Sequence, residues 1–245
     1  MELYIIRHGQ SANNALIDQN INRVDDPSLT AIGFQQADCL AQHFKHHTNV
    51  EAIVSSLTTA PERKDHHNYE ITHLYCSAMY RAMQTAKPLG EALGLTPHIW
   101  VDIHEHGGVW LTNNDVTTGH AGMTRSQIEE EFAGYVIPDA VTDDGWWNPE
   151  DGKEDFPGCH ARAMRVVETL KQRAQVEANQ NDKIAIVTHG NFMDSLLKAF
   201  VGRLPTEDYF HWHYNTAITR LDFWNNRIVM RYINRISHLP PEIVT

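Results

Sequence analysis

The sequence predicts an α/β fold of three layers, α/β/α, with a central, mostly parallel sheet. Three observations predict it. Leu3-Tyr4-Ile5-Ile6 and Ile184-Ala185-Ile186-Val187 are short apolar runs, and each ends within two residues in His-Gly, at His8-Gly9 and His189-Gly190. Runs of this length and composition read as strands buried on both faces, as in a parallel sheet. Strand-like and helix-like segments then alternate over most of the 245 residues, without internal repeats, which is the pattern of α/β layers. In open α/β sheets ligands bind beyond the carboxyl ends of the strands. Two strands would therefore bring two imidazoles to one crevice, the first with Arg7 attached. The glycine after each His permits a sharp turn and a close backbone approach to a ligand, an arrangement that suits a phosphoryl group.

Taken in order, Leu3–Ile6 is the first strand. Asp26-Pro27-Ser28-Leu29-Thr30 forms a turn, and Thr30 caps a helix through about Phe44. Its apolar stripe is Ile32, Ala37, Leu40, Ala41 and Phe44. Residues 54–70 are polar, with Pro61 and His66-His67-Asn68, and read as an insertion loop. Ile71–Ser77 is a second strand. A helix over Met79–Leu93 stops at Gly94, with Pro88 as a kink. Pro97–Ile103 is a third strand. Residues 107–158 are irregular apart from a short helix at Thr124, where Thr124 and Gln127 have capping-box spacing. A long helix runs from about Cys159 to Ala178, then comes the strand ending at His189 and a helix over Asn191–Val201. Thr216–Trp224 and Arg227–Ile233, split by Asn225-Asn226, form a terminal hairpin.

The bulk numbers narrow the function. The length suits a single domain over 1–245, and 42% hydrophobic residues supply a sizeable core. A net charge of -11 argues against nucleic-acid and anionic-membrane partners. It also requires any anionic substrate to be gripped by local positive charge. Cys39, Cys76 and Cys159 are too few and scattered for a disulfide framework. Without a signal-peptide pattern or a membrane-length apolar run, a cytoplasmic location is expected. Sixteen histidines include His46-His47, His66-His67, His104 with His106, and His211 with His213. None is completed into a recognisable zinc pattern, so neither metal nor cofactor is expected.

Arg7-His8-Gly9-Gln10-Ser11-Ala12-Asn13-Asn14 resembles the Arg-His-Gly signature of the histidine phosphatase superfamily, which includes the phosphoglycerate mutases. Further segments match in the family's order. These are Asp26 to Thr30 with Gly33, Gln36 and Ala37; Ser77 to Ala86 around Arg81; Glu105 with Gly108 and Trp110; and Val187-Thr188-His189-Gly190. Gln10 stands where the family often has Glu, and Asn13 where it often has Trp. The resemblance implies a phosphoglycerate mutase-like fold with a lid over the site, here residues 107–160.

The chemistry fits these residue types. Guanidinium groups grip a phosphate dianion bidentately, so Arg7 and Arg81 bind the phosphoryl group, with His189, Asn14 and Gly190 completing its cradle. His8 is the candidate nucleophile, since a neutral imidazole can attack phosphorus. Positive neighbours discourage its protonation. Glu105 is the candidate proton donor to the leaving oxygen and later the base for water, although His104 and His106 flank it. In an extended segment those two point away from the face that carries Glu105. Any one of these residues alone reads more simply as packing or surface. The lid carries Trp110, Tyr135, Trp146, Trp147 and Phe156. It also carries Asp139, Asp143, Asp144, Glu150, Asp151, Glu154 and Asp155, against only Arg125 and Lys153. An acidic, aromatic lid suits a small, singly phosphorylated and otherwise neutral or apolar metabolite. The expected activity is therefore metal-independent phosphomonoester hydrolysis. A phosphoglycerate mutase-type phosphotransferase and a non-catalytic phosphate-binding scaffold are the alternatives.

Overall fold

The computed structural model describes residues 1–16, 23–46, 69–225 and 227–245. Two adjacent parallel strands lie at its centre. The first, β1 (Glu2–Arg7), pairs in parallel with β6 (Lys183–Thr188), with Leu3 opposite Ile184 and Arg7 opposite Thr188. Side chains alternate along a strand, and β1 uses both sets. Tyr4 and Ile6 enter one apolar core with Leu40, Phe44, Met79 and Met83, while Leu3 and Ile5 enter the other with Val166, Leu170, Phe192 and Leu196. Burial on both faces explains why these strands read as unbroken apolar runs.

The elements between them are α1 (Ala31–His46), β2 (His73–Cys76), α2 (Tyr80–Leu93), β3 (Pro97–Ile99), β4 (Trp110–Asn113), β5 (Val116–Gly119), α3 (Arg125–Glu131) and α4 (Phe156–Gln175). After β6 come α5 (Gly190–Phe200), β7 (Ile218–Trp224) and β8 (Arg227–Arg235). The main sheet has the order β3-β2-β6-β1-β7-β8, parallel through β1 and antiparallel at β7 and β8. Helices α1 and α2 cover one face, and α4 and α5 the other, which is the expected three-layer α/β architecture.

Local signals place the helix starts well. Thr30 Oγ1 accepts from the Gly33 amide at 3.1 Å to begin α1, and Thr124 with Gln127 forms the capping box of α3. Helix α2 continues through Pro88 and ends on Gly94 at φ 66, a left-handed turn that glycine adopts without strain. Four expectations need correction. The third strand stops at Ile99, and Val101–Ile103 is a 3-10 turn closed by Ile103 N–H to Trp100 O at 3.3 Å. The long helix starts at Phe156, where Asp155 caps it through the Gly158 amide at 2.7 Å, and ends at Gln175. The stretch expected to be irregular contains the β4–β5 hairpin, turned by Asn114 and Asp115 at φ 48 and 64. The Glu105 segment is not extended either, because Gly108 N–H returns to Glu105 O at 3.1 Å. Most of the 54–70 insertion lies outside the described residues. Its end is ordered by Tyr69, buried against Tyr4 and Phe44.

Candidate active site

The parallel register puts His8 and His189 one residue beyond the adjacent ends of β1 and β6, with ring centroids 5.0 Å apart. The backbone around His8 is pinned from three directions. His8 N–H donates to Thr188 O at 2.9 Å, Asn215 Nδ2 donates to His8 O at 2.9 Å, and Thr216 N–H reaches Arg7 O at 3.0 Å. Gly9 crosses Gly33 so closely that a Cβ on Gly9 would lie 2.5 Å from Gly33 O. This crossing brings the start of α1 against the His8 loop.

The imidazole of His8 is buried, and its Nδ1 lies 2.6 Å from Gly9 O. A carbonyl only accepts, so the proton sits on Nδ1 and the lone pair on Nε2. Nε2 in turn accepts from Arg81 Nε at 3.1 Å. Burial, reinforced by the charges of Arg81 and Arg7, holds the pKa of His8 well below the usual histidine value. His189 is fully buried, neither of its ring nitrogens has a hydrogen-bond partner among the described residues, and burial with the charge of Arg81 likewise depresses its pKa. Arg7 donates from Nη1 to His213 O at 2.6 Å. Burial lowers its pKa only to about 10, so it stays charged at neutral pH. Gly190 abuts this guanidinium: a Cβ there would be 3.4 Å from Arg7 Nε. Arg81 also reaches Asp26 at 3.5 Å, and burial raises Asp26 to about 6 despite that guanidinium.

Glu105 sits at the amino end of α5. Its Oε1 accepts from His106 N–H and Phe192 N–H, both at 2.9 Å, and Oε2 has one longer contact to Asn191 N–H at 3.4 Å. Helix amino ends favour such a carboxylate. One cavity of about 450 Å³ is lined by Arg7, His8, Asn14, Arg81, Glu105 and Gly190, with His189 buried directly behind His8. Of the sequence-predicted site residues, Arg7, His8, Asn14, Arg81, Glu105 and Gly190 thus share one cavity, while His189 packs against His8 and is not among its lining residues. Asn14 differs in detail. Its Oδ1 is engaged by Ser11 N–H at 3.1 Å and Ser11 Oγ at 3.0 Å, so the carbonyl end shapes the loop and only the amide end remains for a ligand.

The flanking histidines separate in an unexpected way. His104 is buried against Trp146 and Trp147, and its pKa falls to about 3 through burial and Arg162. His106 lines the cavity beside Glu105, stacked on Phe156 at 4.1 Å. The acidic face expected over the site is also corrected. None of the eleven carboxylates in 107–160 lines this cavity, whereas Gly108, Trp110, Lys153 and Phe156 do. The acids have other tasks: Asp143 bonds Ser126, Asp155 caps α4, and Glu154 pairs with Arg162. Sequence reasoning missed Arg23, Phe210, Trp212 and His213, which also line it. Their segments carry no motif, and only tertiary packing delivers them. Among the described residues, no group of three or more His, Cys, Asp or Glu converges to hold a metal ion. Among them too, no helix is long and apolar enough to cross a membrane.

The model of the histidine phosphatase superfamily (branch 1) matches residues 3–62 and 63–236. A Yersinia pestis protein named as a probable phosphoglycerate mutase is 31% identical over 226 residues, which is 91% of this chain and 85% of the relative. Two solved structures share the fold. A phosphoserine phosphatase from Entamoeba histolytica has a TM-score of 0.57 at 20% identity, over 98% of this chain and 99% of its own. The alpha-ribazole phosphatase from Shigella flexneri has a TM-score of 0.60 at 18% identity, over 96% of each chain.

Proposed function

This chain belongs to the histidine phosphatase superfamily, and on that premise we propose that it hydrolyses a small phosphomonoester through a phosphohistidine on His8. The observation that carries the reading is the state of His8. Its Nδ1 proton is spent on Gly9 O, which leaves the lone pair on Nε2 at the cavity lining; that lone pair accepts from Arg81 Nε and is freed when Arg81 turns to the phosphoryl oxygens.

Arg7 and Arg81 hold the phosphoryl oxygens, and His189, Gly190 and the Asn14 amide complete the cradle. Nε2 of His8 attacks phosphorus as the ester P–O bond breaks, and the departing oxygen keeps the bonding pair. Glu105 gives its proton to that oxygen through Oε2, the less engaged of its carboxyl oxygens. A water molecule then attacks the phosphohistidine and passes its proton to Glu105. The P–N bond breaks, its electron pair returns to Nε2, and phosphate leaves. The arginines stabilise charge on the equatorial oxygens in both steps. Residues 107–160 act as a lid that supplies the Trp110, Lys153 and Phe156 wall.

The mutase reading is favoured by the name of the Yersinia relative, and it predicts stimulation by a bisphosphorylated primer. The test is release of phosphate from an aryl phosphate at mildly acidic pH with a chelator present. Wild-type turnover that His8→Ala abolishes supports the hydrolase. No turnover without primer, with robust transfer in its presence, supports the mutase instead.

A further inference from the structure

Among the described residues, four cations converge on the cavity, Arg7, Arg23, Arg81 and Lys153, against two lining carboxylates, Asp25 and Glu105, in a chain of net charge -11. Arg7 and Arg81 are accounted for by the phosphoryl group. We propose that Arg23 and Lys153 form a second anion subsite, and that the leaving group of the substrate therefore carries a carboxylate or a second phosphate. This rests on the phosphomonoester reading and replaces the neutral leaving group expected from the acidic lid.

Arg23 is held in place by a specific device. Asn13 Nδ2 donates to Val24 O at 2.8 Å, and Val24 N–H donates to Asn13 Oδ1 at 3.1 Å. This two-point clasp fixes the backbone so that Arg23 and Asp25 both face the cavity while Val24 is exposed. A tryptophan at position 13, as the family often has, could not accept and donate in this way. Lys153 is placed by Trp110. Its Nζ lies 4.0 Å from the indole centroid, and the Arg23 guanidinium lies 5.7 Å from the same ring. The indole itself rests on Gly107 at φ 96, where a Cβ would strike Trp110 and come within 3.3 Å of Lys153 Cγ. One aromatic ring thus gathers both cations.

Lys153 is tied to the Glu105 turn by the backbone: Gly108 N–H returns to Glu105 O at 3.1 Å, and Glu154 N–H donates to Gly107 O at 3.1 Å. The pair gathered on Trp110 is therefore placed on the side of the proton donor, from which the leaving group departs. Asp25 also lies 3.4 Å from His120 Nδ1.

The test uses the full chain carrying His8→Ala, which binds without turnover, titrated by calorimetry. Three ligands share a three-carbon skeleton: glycerol 3-phosphate, 3-phosphoglycerate and glycerol 1,3-bisphosphate. A second anion should improve affinity over glycerol 3-phosphate by about tenfold or more, the yield of one charge-assisted hydrogen bond. The better of the two charged ligands identifies the anion. Adding Arg23→Gln and Lys153→Gln should reduce that preference to about threefold or less. Equal affinities in the parent, or a preference that survives both substitutions, overturns the subsite. If the wild type hydrolyses the aryl ester but shows no preference, only the subsite fails. Failure of all three ligands to bind, with no aryl turnover, overturns the phosphomonoester reading and the subsite with it.

Discussion

Arg162 links the proton donor to the lid, and its removal should be felt in both stability and chemistry. It is buried on α4, and its guanidinium grips Glu154 through Nε at 3.0 Å and Nη2 at 2.6 Å. Its Nη1 donates to Asp102 O at 2.7 Å and to His104 O at 2.9 Å, directly before Glu105. Arg162→Ala leaves the Glu154 carboxylate, 13% exposed, without its counter-ion and strands two backbone carbonyls. Breaking a buried pair from one side costs about 3–5 kcal/mol. For a chain of this size that lowers Tm by about 6–20 °C. Glu154→Gln keeps an acceptor for the guanidinium and should cost about 1–3 kcal/mol. Urea melts measure the stability terms, and kcat/KM on paired alkyl and aryl phosphates measures the chemistry. Displacing the 102–104 turn shifts Glu105, so alkyl esters, whose poor leaving groups need the proton, should suffer more. A loss below about 1 kcal/mol with an unchanged alkyl-to-aryl ratio would refute the positioning role of Arg162.

Other expected outcomes follow from the same geometry. Glu105→Gln should lower kcat/KM for alkyl phosphates by about 10²–10⁴ but spare activated aryl esters, and equal losses on both would remove Glu105 as the donor. Because burial and two guanidinium groups depress the pKa of His8, its neutral form persists as pH falls through the ordinary histidine range. The aryl kcat/KM profile should therefore show no limb near 6.5, whereas an unperturbed histidine would lose about tenfold by about pH 5.5. Gly9→Ala places a methyl 2.5 Å from Gly33 O, so chemical denaturation should show a loss of about 1–3 kcal/mol; unchanged stability would mean the crossing relaxes freely.

The parts legible in the sequence were those set by local rules. β1 and β6 are buried on both faces and leave continuous apolar runs, and each ends in the His-Gly pair that marks the site. Thr30 and Thr124 announce their helices by capping. The β4–β5 hairpin escaped notice because its residues are mostly exposed and show no apolar alternation. Asn114-Asp115, both at positive φ, was its one signal. The end of the third strand at Ile99 is followed by a turn whose carbonyls Arg162 holds from some sixty residues away, and local reading does not see such a bond. The acidic lid misled for a related reason. Composition counts its carboxylates, but caps and ion pairs direct them away from the cavity. Arg23 and Trp212 reach the cavity through tertiary placement alone.

The most direct measurement is to quench the wild type during turnover and map the phosphorylated peptide by mass spectrometry under non-acidic conditions. Hydrolysis through His8 predicts an acid-labile phosphoryl group on the His8 peptide, absent in His8→Ala. A phosphoryl group on another residue, or turnover by His8→Ala at the wild-type rate, would contradict it.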